Sequence, residues 1–331
     1  MAFSNKSVET GTISINSHTH TCLLDIQDLR VHFILEDSAV RAVDGVSLKV
    51  HEGETLTLIG ESGSGKSILG TSILRLLPPN ARIDGKILFN GLDLLNLPED
   101  DLRKIRGRDI AWVPQNPATS LNPVLKVGIQ IAEPMETHLN MNRESALKKV
   151  IKLLKFFDIE PAEKRVNEYP HQYSGGMRQR ALVAMGTSTK PKLIIADEPT
   201  KGVDASKKVR VVELFRKIKK NGKLSMLVIT HDLPFARTLA DRIAVMYCGQ
   251  IVEICNADTF FEEPLHPYSK ALLDSLPSRG LKPIKGNSPS MVSPPEGCRF
   301  HPRCEYANSR CRKEPPLIEL NGNSVRCWLY D

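Results

Sequence analysis

The chain has 331 residues, of which 41% are hydrophobic and 25% charged, as is typical of a globular protein with a substantial core. This length allows one large domain with an appendage, or two modest domains. The net charge of +7 fits an anionic partner, and equally a solvated surface, because the Lys and Arg residues are scattered. No apolar run approaches the roughly 18 to 20 residues of a membrane-spanning helix, so the sequence excludes a channel of its own.

The first 22 residues are polar and lack the apolar stretch of a signal peptide. We expect residues 1–22 to form a flexible N-terminal tail. We also expect a cytosolic protein, in which thiols stay reduced.

From about Leu23 to about Glu263, short apolar runs alternate with helical patterns, which predicts an α/β domain with a largely parallel sheet. TLTLIG (55–60), KLIIAD (192–197) and SMLVIT (225–230) are predicted to be buried strands. A helix is predicted within ESALKKVIKLLKFFDI, whose apolar face consists of Leu147, Val150, Ile151, Leu154 and Phe157.

The segment GESGSGKS (60–67) fits the phosphate-binding pattern G-x-x-x-x-G-K-[ST], and it lies between a predicted strand and a predicted helix. The glycines let backbone N–H groups wrap the phosphates, Lys66 neutralises the β- and γ-phosphates, and the Ser67 hydroxyl suits Mg²⁺. The predicted nucleotide-binding residues here are Gly60, Glu61, Ser62, Gly63, Ser64, Gly65, Lys66, Ser67 and Ile68.

The strand KLIIAD ends at a pair of acids, Asp197 and Glu198. Asp197 is placed to hold Mg²⁺ directly or through water, and Glu198 to polarise a water molecule on the γ-phosphate. Two acids after an apolar strand could also be an ordinary strand end, but the phosphate loop upstream favours the catalytic interpretation.

YSGGMRQR (173–180) begins a helix with a serine and two glycines, an anion-binding arrangement in a chain that already has a phosphate loop. With the two preceding motifs, it resembles the signature of ATP-binding cassette (ABC) ATPases. In that family the signature contacts the γ-phosphate bound by a second subunit, so that two cassettes sandwich two ATP molecules head to tail. The resemblance implies a P-loop ABC ATPase cassette with a RecA-like core and a helical subdomain, in which Ser174, Gly175, Gly176 and Gln179 contact nucleotide.

Four further residues resemble family positions, in chain order. Phe33 is the candidate for stacking on adenine, although it could equally be a core residue of a β-hairpin. Gln115 in WVPQNP resembles the Q-loop glutamine, which implies a catalytic role and a contact with Mg²⁺. Asp204 resembles the D-loop aspartate, and His231 in VITHD resembles the catalytic switch histidine.

PLHPYSKALLDSLP (264–277) with GCRFHPRCEYA, and NPATSLNP (116–123), resemble the ATPase subunits of bacterial and archaeal oligopeptide, dipeptide and nickel importers. The resemblance implies an ABC ATPase domain over 23–263 and an importer-type C-terminal extension over 264–331. It implies a peripheral subunit on the cytoplasmic face of the membrane, energising import of short peptides or nickel. The implied partners are a second ATPase subunit, two permease subunits and an external binding protein.

A soluble ABC switch ATPase acting on nucleic acid or ribosomes is the alternative. Such proteins usually carry paired cassettes or long coiled-coil insertions, and the sequence has neither. We therefore expect no nucleic-acid partner.

Four cysteines near the end of the chain, Cys298, Cys304, Cys311 and Cys327, have the spacing C-x5-C-x6-C-x15-C. Zinc usually takes ligands two to four residues apart, so it stays open without being favoured, and a reducing compartment disfavours disulfides. Four thiolates suit an iron–sulfur cluster, and the adjacent arginines would favour the thiolate form. The importer resemblance implies a four-iron four-sulfur cluster here, in a small cysteine-bearing C-terminal lobe. Cys22, Cys248 and Cys255 are interpreted as ordinary thiols.

Overall fold

The computed structural model describes residues 21–202, 205–220 and 224–331, and for residues 205–207 it describes the backbone alone. Residues 1–20 of the predicted tail lie outside the described residues. Within the described ranges, no helix is both long and apolar enough to cross a membrane.

The strands of the described chain form two sheets. They are β1 (Cys22–Ile34), β2 (Ala39–His51), β3 (Thr55–Ile59), β4 (Ala81–Phe89), β5 (Leu92–Asp93), β6 (Ile110–Val113), β7 (Leu193–Asp197), β8 (Ser225–Thr230), β9 (Arg242–Tyr247), β10 (Gln250–Asn256), β11 (Ile318–Leu320) and β12 (Asn323–Val325). The smaller sheet has the order β2-β1-β4-β5 and is antiparallel. The larger sheet has the order β11-β12-β10-β9-β3-β8-β7-β6.

The helices of the described chain surround the larger sheet and carry its connections. The α-helices are α1 (Lys66–Ile73), α2 (Glu99–Ile105), α3 (Pro117–Ser120), α4 (Val127–Leu139), α5 (Arg143–Phe156), α6 (Ala162–Arg165), α7 (Gly175–Thr187), α8 (Ala205–Lys220), α9 (Leu233–Leu239), α10 (Ala257–Glu262) and α11 (Pro267–Asp274). Short 3₁₀ turns cover Pro170–Gln172, Pro277–Arg279, His301–Arg303, Ser309–Arg312 and Trp328–Tyr330.

The centre of the larger sheet is parallel, with β6, β7, β8, β3 and β9 paired in that order. Every residue of β3, β7 and β8 is buried. The three predicted strands are therefore confirmed, and their continuous apolar runs are explained because helices cover both faces of a parallel sheet.

The carboxyl ends of β3, β7 and β8 meet at one edge of the sheet. Ile59 of β3 lies beside Thr230 of β8, and Asp197 of β7 lies beside Ile229 of β8. This register brings the residues that follow each strand together, although they are far apart in the sequence.

Helices α4 to α7 pack in one apolar cluster with α8, α9 and one face of β6, β7 and β8, so the helical part rests on the larger sheet. In α5 and its C-cap, Val150, Leu154 and Phe157 are buried, and Leu147 and Ile151 pack on the same cluster. The predicted apolar face of this helix is confirmed. The cluster holds α7, which carries the signature segment, against the sheet.

The extension after residue 263 joins the cassette through both a sheet and a core. Strand β12 pairs with β10, so the extension lengthens the larger sheet. Tyr268 and Phe300 pack in one cluster with Ile59 and Tyr247 of the cassette. The division at 263/264 stays a prediction, because the residues on its two sides share a sheet edge and an apolar cluster.

Candidate nucleotide site

The loop between β3 and α1 follows a path that requires glycine at two positions. A Cβ atom on Gly60 would lie 2.1 Å from the carbonyl oxygen of Met246, and one on Gly65 would lie 2.0 Å from that of Ala42. Gly65 also has a φ of 104°, which side-chain-bearing residues rarely adopt. A larger residue at either position would push the loop off the strands that support it.

Lys66 is buried inside this loop, with 6% of its surface exposed. Its ammonium group donates to the carbonyl oxygens of Gly60 and Glu61, both at 2.8 Å. Burial lowers the pKa of Lys66, and three nearby carboxylates oppose that shift. A cation held at this depth in a phosphate-binding loop is suited to neutralise phosphate charge.

Ser67 and Asp197 meet although they are 130 residues apart, as the Ser67 hydroxyl donates to Asp197 Oδ1 at 3.1 Å. Burial raises the pKa of Asp197, and the bond from Ser67 opposes the shift. Magnesium in nucleotide sites is commonly held by one or two protein oxygens together with phosphate oxygens. The pair fits that requirement.

Glu198 follows β7 in a left-handed backbone conformation with a φ of 47°, and its N–H donates to Ile229 at 2.8 Å. Glu198 is 7% exposed, and its carboxylate contacts Thr230 at the end of β8 and His231 just after it. His231 Nδ1 lies 2.8 Å from Oε1, and the Thr230 hydroxyl donates to Oε2 at 3.3 Å. The turn thus aims a buried carboxylate at the half-exposed ring of His231, an arrangement suited to an oriented general base.

The signature segment lies apart from the phosphate loop. Ser174 caps α7 by accepting a hydrogen bond from the N–H of Met177, at 3.3 Å. Ser174 and Gly175 are exposed, whereas Gln179 is buried. A Cβ atom on Gly175 would have no neighbour within 4 Å.

Gln115 lines a cleft of about 620 Å³ together with the signature residues and with the exposed Lys201 and Gly202. In the described part of the chain, no residue of 60–67 lines this cleft. The structure therefore brings Gln115 close to the signature of its own chain.

The remaining predicted site residues fall into three cases. Phe33 is partly buried and packs on the core of the smaller sheet, and Ile68 packs on the same cluster. Ser62 and Gly63 are exposed in the loop. Asp204 lies outside the described residues. The adenine contact of Phe33 stays a prediction.

Glu61 makes three contacts that the sequence did not predict. Its N–H donates to the Tyr268 hydroxyl at 2.8 Å, and its carboxylate is bound by Arg303 and by the Ser288 hydroxyl. These partners lie more than 200 residues away, so no local pattern could reveal them. The signal that the sequence did contain was the cationic Arg303, which we interpreted as a partner of the adjacent Cys304 thiol.

The expectation of a four-iron four-sulfur cluster is wrong. Cys298, Cys304, Cys311 and Cys327 line a common pocket. Among residues 21–202, 205–220 and 224–331, however, no three His, Cys, Asp or Glu side chains form a group that could hold a metal ion.

The surroundings of the thiols also differ from the expectation. Burial and the neighbouring cysteines raise the pKa of Cys298 to about 11, and burial raises the pKa of Cys304 and of Cys327. At these three cysteines the surroundings disfavour the thiolate, whereas the sequence led us to expect arginines that favour it.

Four of the five arginines that border these cysteines, and that were expected to favour the thiolates, bind carboxylates instead. Their partners are Asp44 for Arg299, Glu61 for Arg303, Asp331 for Arg310 and Glu314 for Arg326. Sequence adjacency to a cysteine did not translate into a charge contact with its sulfur.

Two family models match the chain. The ABC transporter model matches residues 43–201, and the model of the oligopeptide/dipeptide transporter C-terminal region matches residues 252–311. The second match includes Tyr268, Ser288 and Arg303, which contact Glu61.

Curated relatives match over nearly their whole length. The oligopeptide transport ATP-binding protein AppD of Bacillus subtilis (strain 168) is 43% identical, over 93% of this chain and 97% of that protein. OppD of Escherichia coli (strain K12), with the same description, is 39% identical over 96% of each chain. The dipeptide transport ATP-binding protein DppD of Bacillus subtilis (strain 168) is 42% identical, over 93% of this chain and 95% of that protein.

Among solved structures, a dimeric ATP-binding cassette in a post-hydrolysis state with ADP and Pi has a TM-score of 0.64 and 27% identity. The alignment covers 71% of this chain and 98% of that one. Together with the relatives, these matches show that the chain belongs to the ABC transporter family, as an ATP-binding, ATP-hydrolysing subunit of the oligopeptide and dipeptide transport group.

Proposed function

We propose that this ATPase powers the import of short peptides through separate membrane permeases that receive substrate from an external binding protein. The observation that carries the proposal is the similarity to oligopeptide and dipeptide transport ATP-binding proteins. It runs through 93–96% of the chain and includes the extension. Nickel is the alternative substrate, since the sequence also resembles nickel importers.

Within the cassette, the loop 60–67 binds the ATP phosphates and Lys66 neutralises part of their charge. Ser67 and Asp197 would hold Mg²⁺, which when bound neutralises charge on the transferred phosphoryl group. Their 3.1 Å contact supports this assignment. Gln115 is the further Mg²⁺-facing residue predicted from the Q-loop resemblance.

Glu198 is the general base that takes a proton from the attacking water, and His231 orients its carboxylate. The 2.8 Å contact between His231 Nδ1 and Glu198 Oε1 supports these roles. Positioning through a second hydrogen-bonded group is the usual way to hold a catalytic base in one rotamer.

The signature residues Ser174, Gly175, Gly176 and Gln179 serve the nucleotide of a second ATPase subunit, in a head-to-tail dimer. The exposure of Ser174 and Gly175 and their separation from the phosphate loop support this arrangement. The similar solved cassette is described as dimeric. The subunit would sit at the cytoplasmic face of the membrane, against its permeases.

Reconstitution with candidate permeases and a candidate binding protein from the same organism tests the transport role. We expect peptide-loaded binding protein to stimulate ATP hydrolysis and to drive peptide accumulation in vesicles. Stimulation by nickel-loaded binding protein, but not by peptide-loaded binding protein, would mean that nickel is the substrate. Hydrolysis that ignores every loaded binding protein and membrane partner would overturn the importer assignment.

A further inference from the structure

Glu61, the second residue of the phosphate loop, is held at both of its backbone groups. Its N–H donates to the Tyr268 hydroxyl at 2.8 Å. Its carbonyl oxygen accepts from the Lys66 ammonium at 2.8 Å and from the N–H of Ser64 at 3.2 Å. A single residue of the loop therefore links a tyrosine of the extension to the phosphate-binding lysine.

The Glu61 side chain is held by the extension as well. Its two carboxylate oxygens accept from the two terminal nitrogens of Arg303, at 2.9 and 3.0 Å. Such a forked pair fixes direction as well as distance, which a single point charge does not. The Ser288 hydroxyl adds a further bond.

Arg303 itself is fixed by its surroundings. Only 6% of its side chain is exposed, and its Nε donates to the carbonyl oxygen of Lys285 at 2.9 Å. One terminal nitrogen donates to the Tyr247 hydroxyl at 3.1 Å. The guanidinium lies 5.8 Å from the centre of the Tyr247 ring, in the range of a cation–π contact.

An aromatic group joins these contacts to the cassette. The rings of Tyr247 and Tyr268 are 4.5 Å apart, and Phe300 lies 5.3 Å from each of them. Tyr268 is fully buried, so its hydroxyl cannot leave the Glu61 N–H without disturbing this packing. The same short segment that bears Phe300 also bears Arg303.

We propose that Arg303 and Tyr268 of the extension are positioning residues for the phosphate loop, so that the extension sets the affinity of the cassette for ATP through Glu61. The bonds from Arg303 and Tyr268 to Glu61, which we call the clamp, preorganise the Glu61 carbonyl to hold Lys66. Without it, the peptide can rotate, and part of the binding energy of ATP is spent on ordering the loop. The proposal rests on residues 60–67 being the ATP site.

The test compares steady-state ATP hydrolysis by the full chain and its variants. Arg303→Met removes the fork while keeping an apolar stem of similar length. We expect the KM for ATP to rise roughly tenfold, within the usual range of coupling between sites, with kcat changed less than about threefold. Arg303→Lys should restore part of the loss, because the charge returns without the fork.

Two further variants separate positioning from general loss of structure. Arg310→Met is the matched control, since Arg310 also lies in the extension but pairs with Asp331 near the chain end. Its KM should equal that of the wild type. Tyr268→Phe removes one oxygen atom and should raise the KM by a smaller factor than Arg303→Met.

A double-mutant comparison gives the most specific result. Glu61→Gln combined with Arg303→Met should raise the KM no more than the larger single change, because both break one contact. An unchanged KM in both Arg303→Met and Tyr268→Phe would overturn the proposal. So would equal effects of Arg303→Met and Arg310→Met. Should Lys66→Ala leave ATP binding intact, the site assignment fails instead, independently of the clamp.

Discussion

The phosphate half of the site, residues 60–67 with Asp197 and Glu198, differs sharply from the signature half, residues 174–179. In the phosphate half Lys66, Asp197 and Glu198 are each less than 8% exposed. Each is also hydrogen-bonded within the chain, Lys66 to Gly60, Asp197 to Ser67 and Glu198 to His231. In the signature half Ser174 and Gly175 are exposed, and Gly175 faces open space.

This difference indicates what one chain supplies alone. The phosphate half is preorganised by contacts within the chain, so it needs no partner to present a cation, two carboxylates and a hydroxyl. The signature half presents the N-terminus of α7, which has no function within the described part of its own chain. Binding should therefore depend on the first half, and turnover on both.

The largest expected effect comes from removing the general base of the phosphate half. Glu198→Gln keeps an oxygen for His231 but cannot take a proton, so kcat should fall by about 100- to 10,000-fold. ATP affinity, measured by calorimetry, should stay unchanged. Hydrolysis at the wild-type rate would show that Glu198 is not the base.

Lys66→Ala should act on binding instead. Loss of a buried charge-assisted contact, worth about 1.5–3 kcal/mol, should weaken ATP binding by roughly 10- to 100-fold. Lys148→Ala is the control, because Lys148 is exposed and pairs with Glu144 on α5. Equal affinities in the two variants would mean that the phosphate loop is misassigned.

His231→Ala should have a smaller effect. Glu198 loses its 2.8 Å contact but keeps the bond from Thr230, so we expect kcat to fall roughly tenfold, the factor that corresponds to one hydrogen bond. Phosphate release under saturating ATP measures it. A loss as large as that in Glu198→Gln would transfer the role of the base to His231.

The smallest expected effect concerns pH. Burial raises the pKa of Glu61, but the hydrogen bonds and charge of Arg303 outweigh it and hold the pKa below 4.5. A carboxyl group whose pKa is lowered in the folded protein stabilises the fold at pH values above its ordinary pKa. That contribution is lost as the pH falls through the pKa of the folded state. The difference in unfolding free energy between wild type and Glu61→Gln should thus be constant above about pH 5 and shrink below 4.5. A difference that does not change with pH would show that the clamp contributes no charge interaction.

The parts of the fold that sequence predicted best are those with a local cause. Buried strands such as β7 are continuous apolar runs, and the phosphate loop needs glycine where a Cβ would meet a carbonyl oxygen. Ser67 and Asp197 were each predicted to hold Mg²⁺, and in the structure the two side chains lie in contact.

Contacts made by the extension could not be predicted in this way. The sequence placed Arg303 beside Cys304, but the fold turns its guanidinium to Glu61, where two terminal nitrogens match the two carboxylate oxygens. Arg299 likewise reaches Asp44. Adjacency along the chain carries little information about charge contacts in a segment made of 3₁₀ turns and loops.

The comparison of the two halves is tested most directly by Gly175→Asp. The site has room for the new side chain within its own chain, so the change places a negative charge on the exposed helix start without disturbing the fold. We predict ATP affinity within about twofold of wild type, with kcat reduced about 100-fold or more, as on losing a transition-state donor. Should ATP affinity fall together with kcat, as predicted for Lys66→Ala, the signature would line the nucleotide site of its own chain, and the division between the halves would be contradicted.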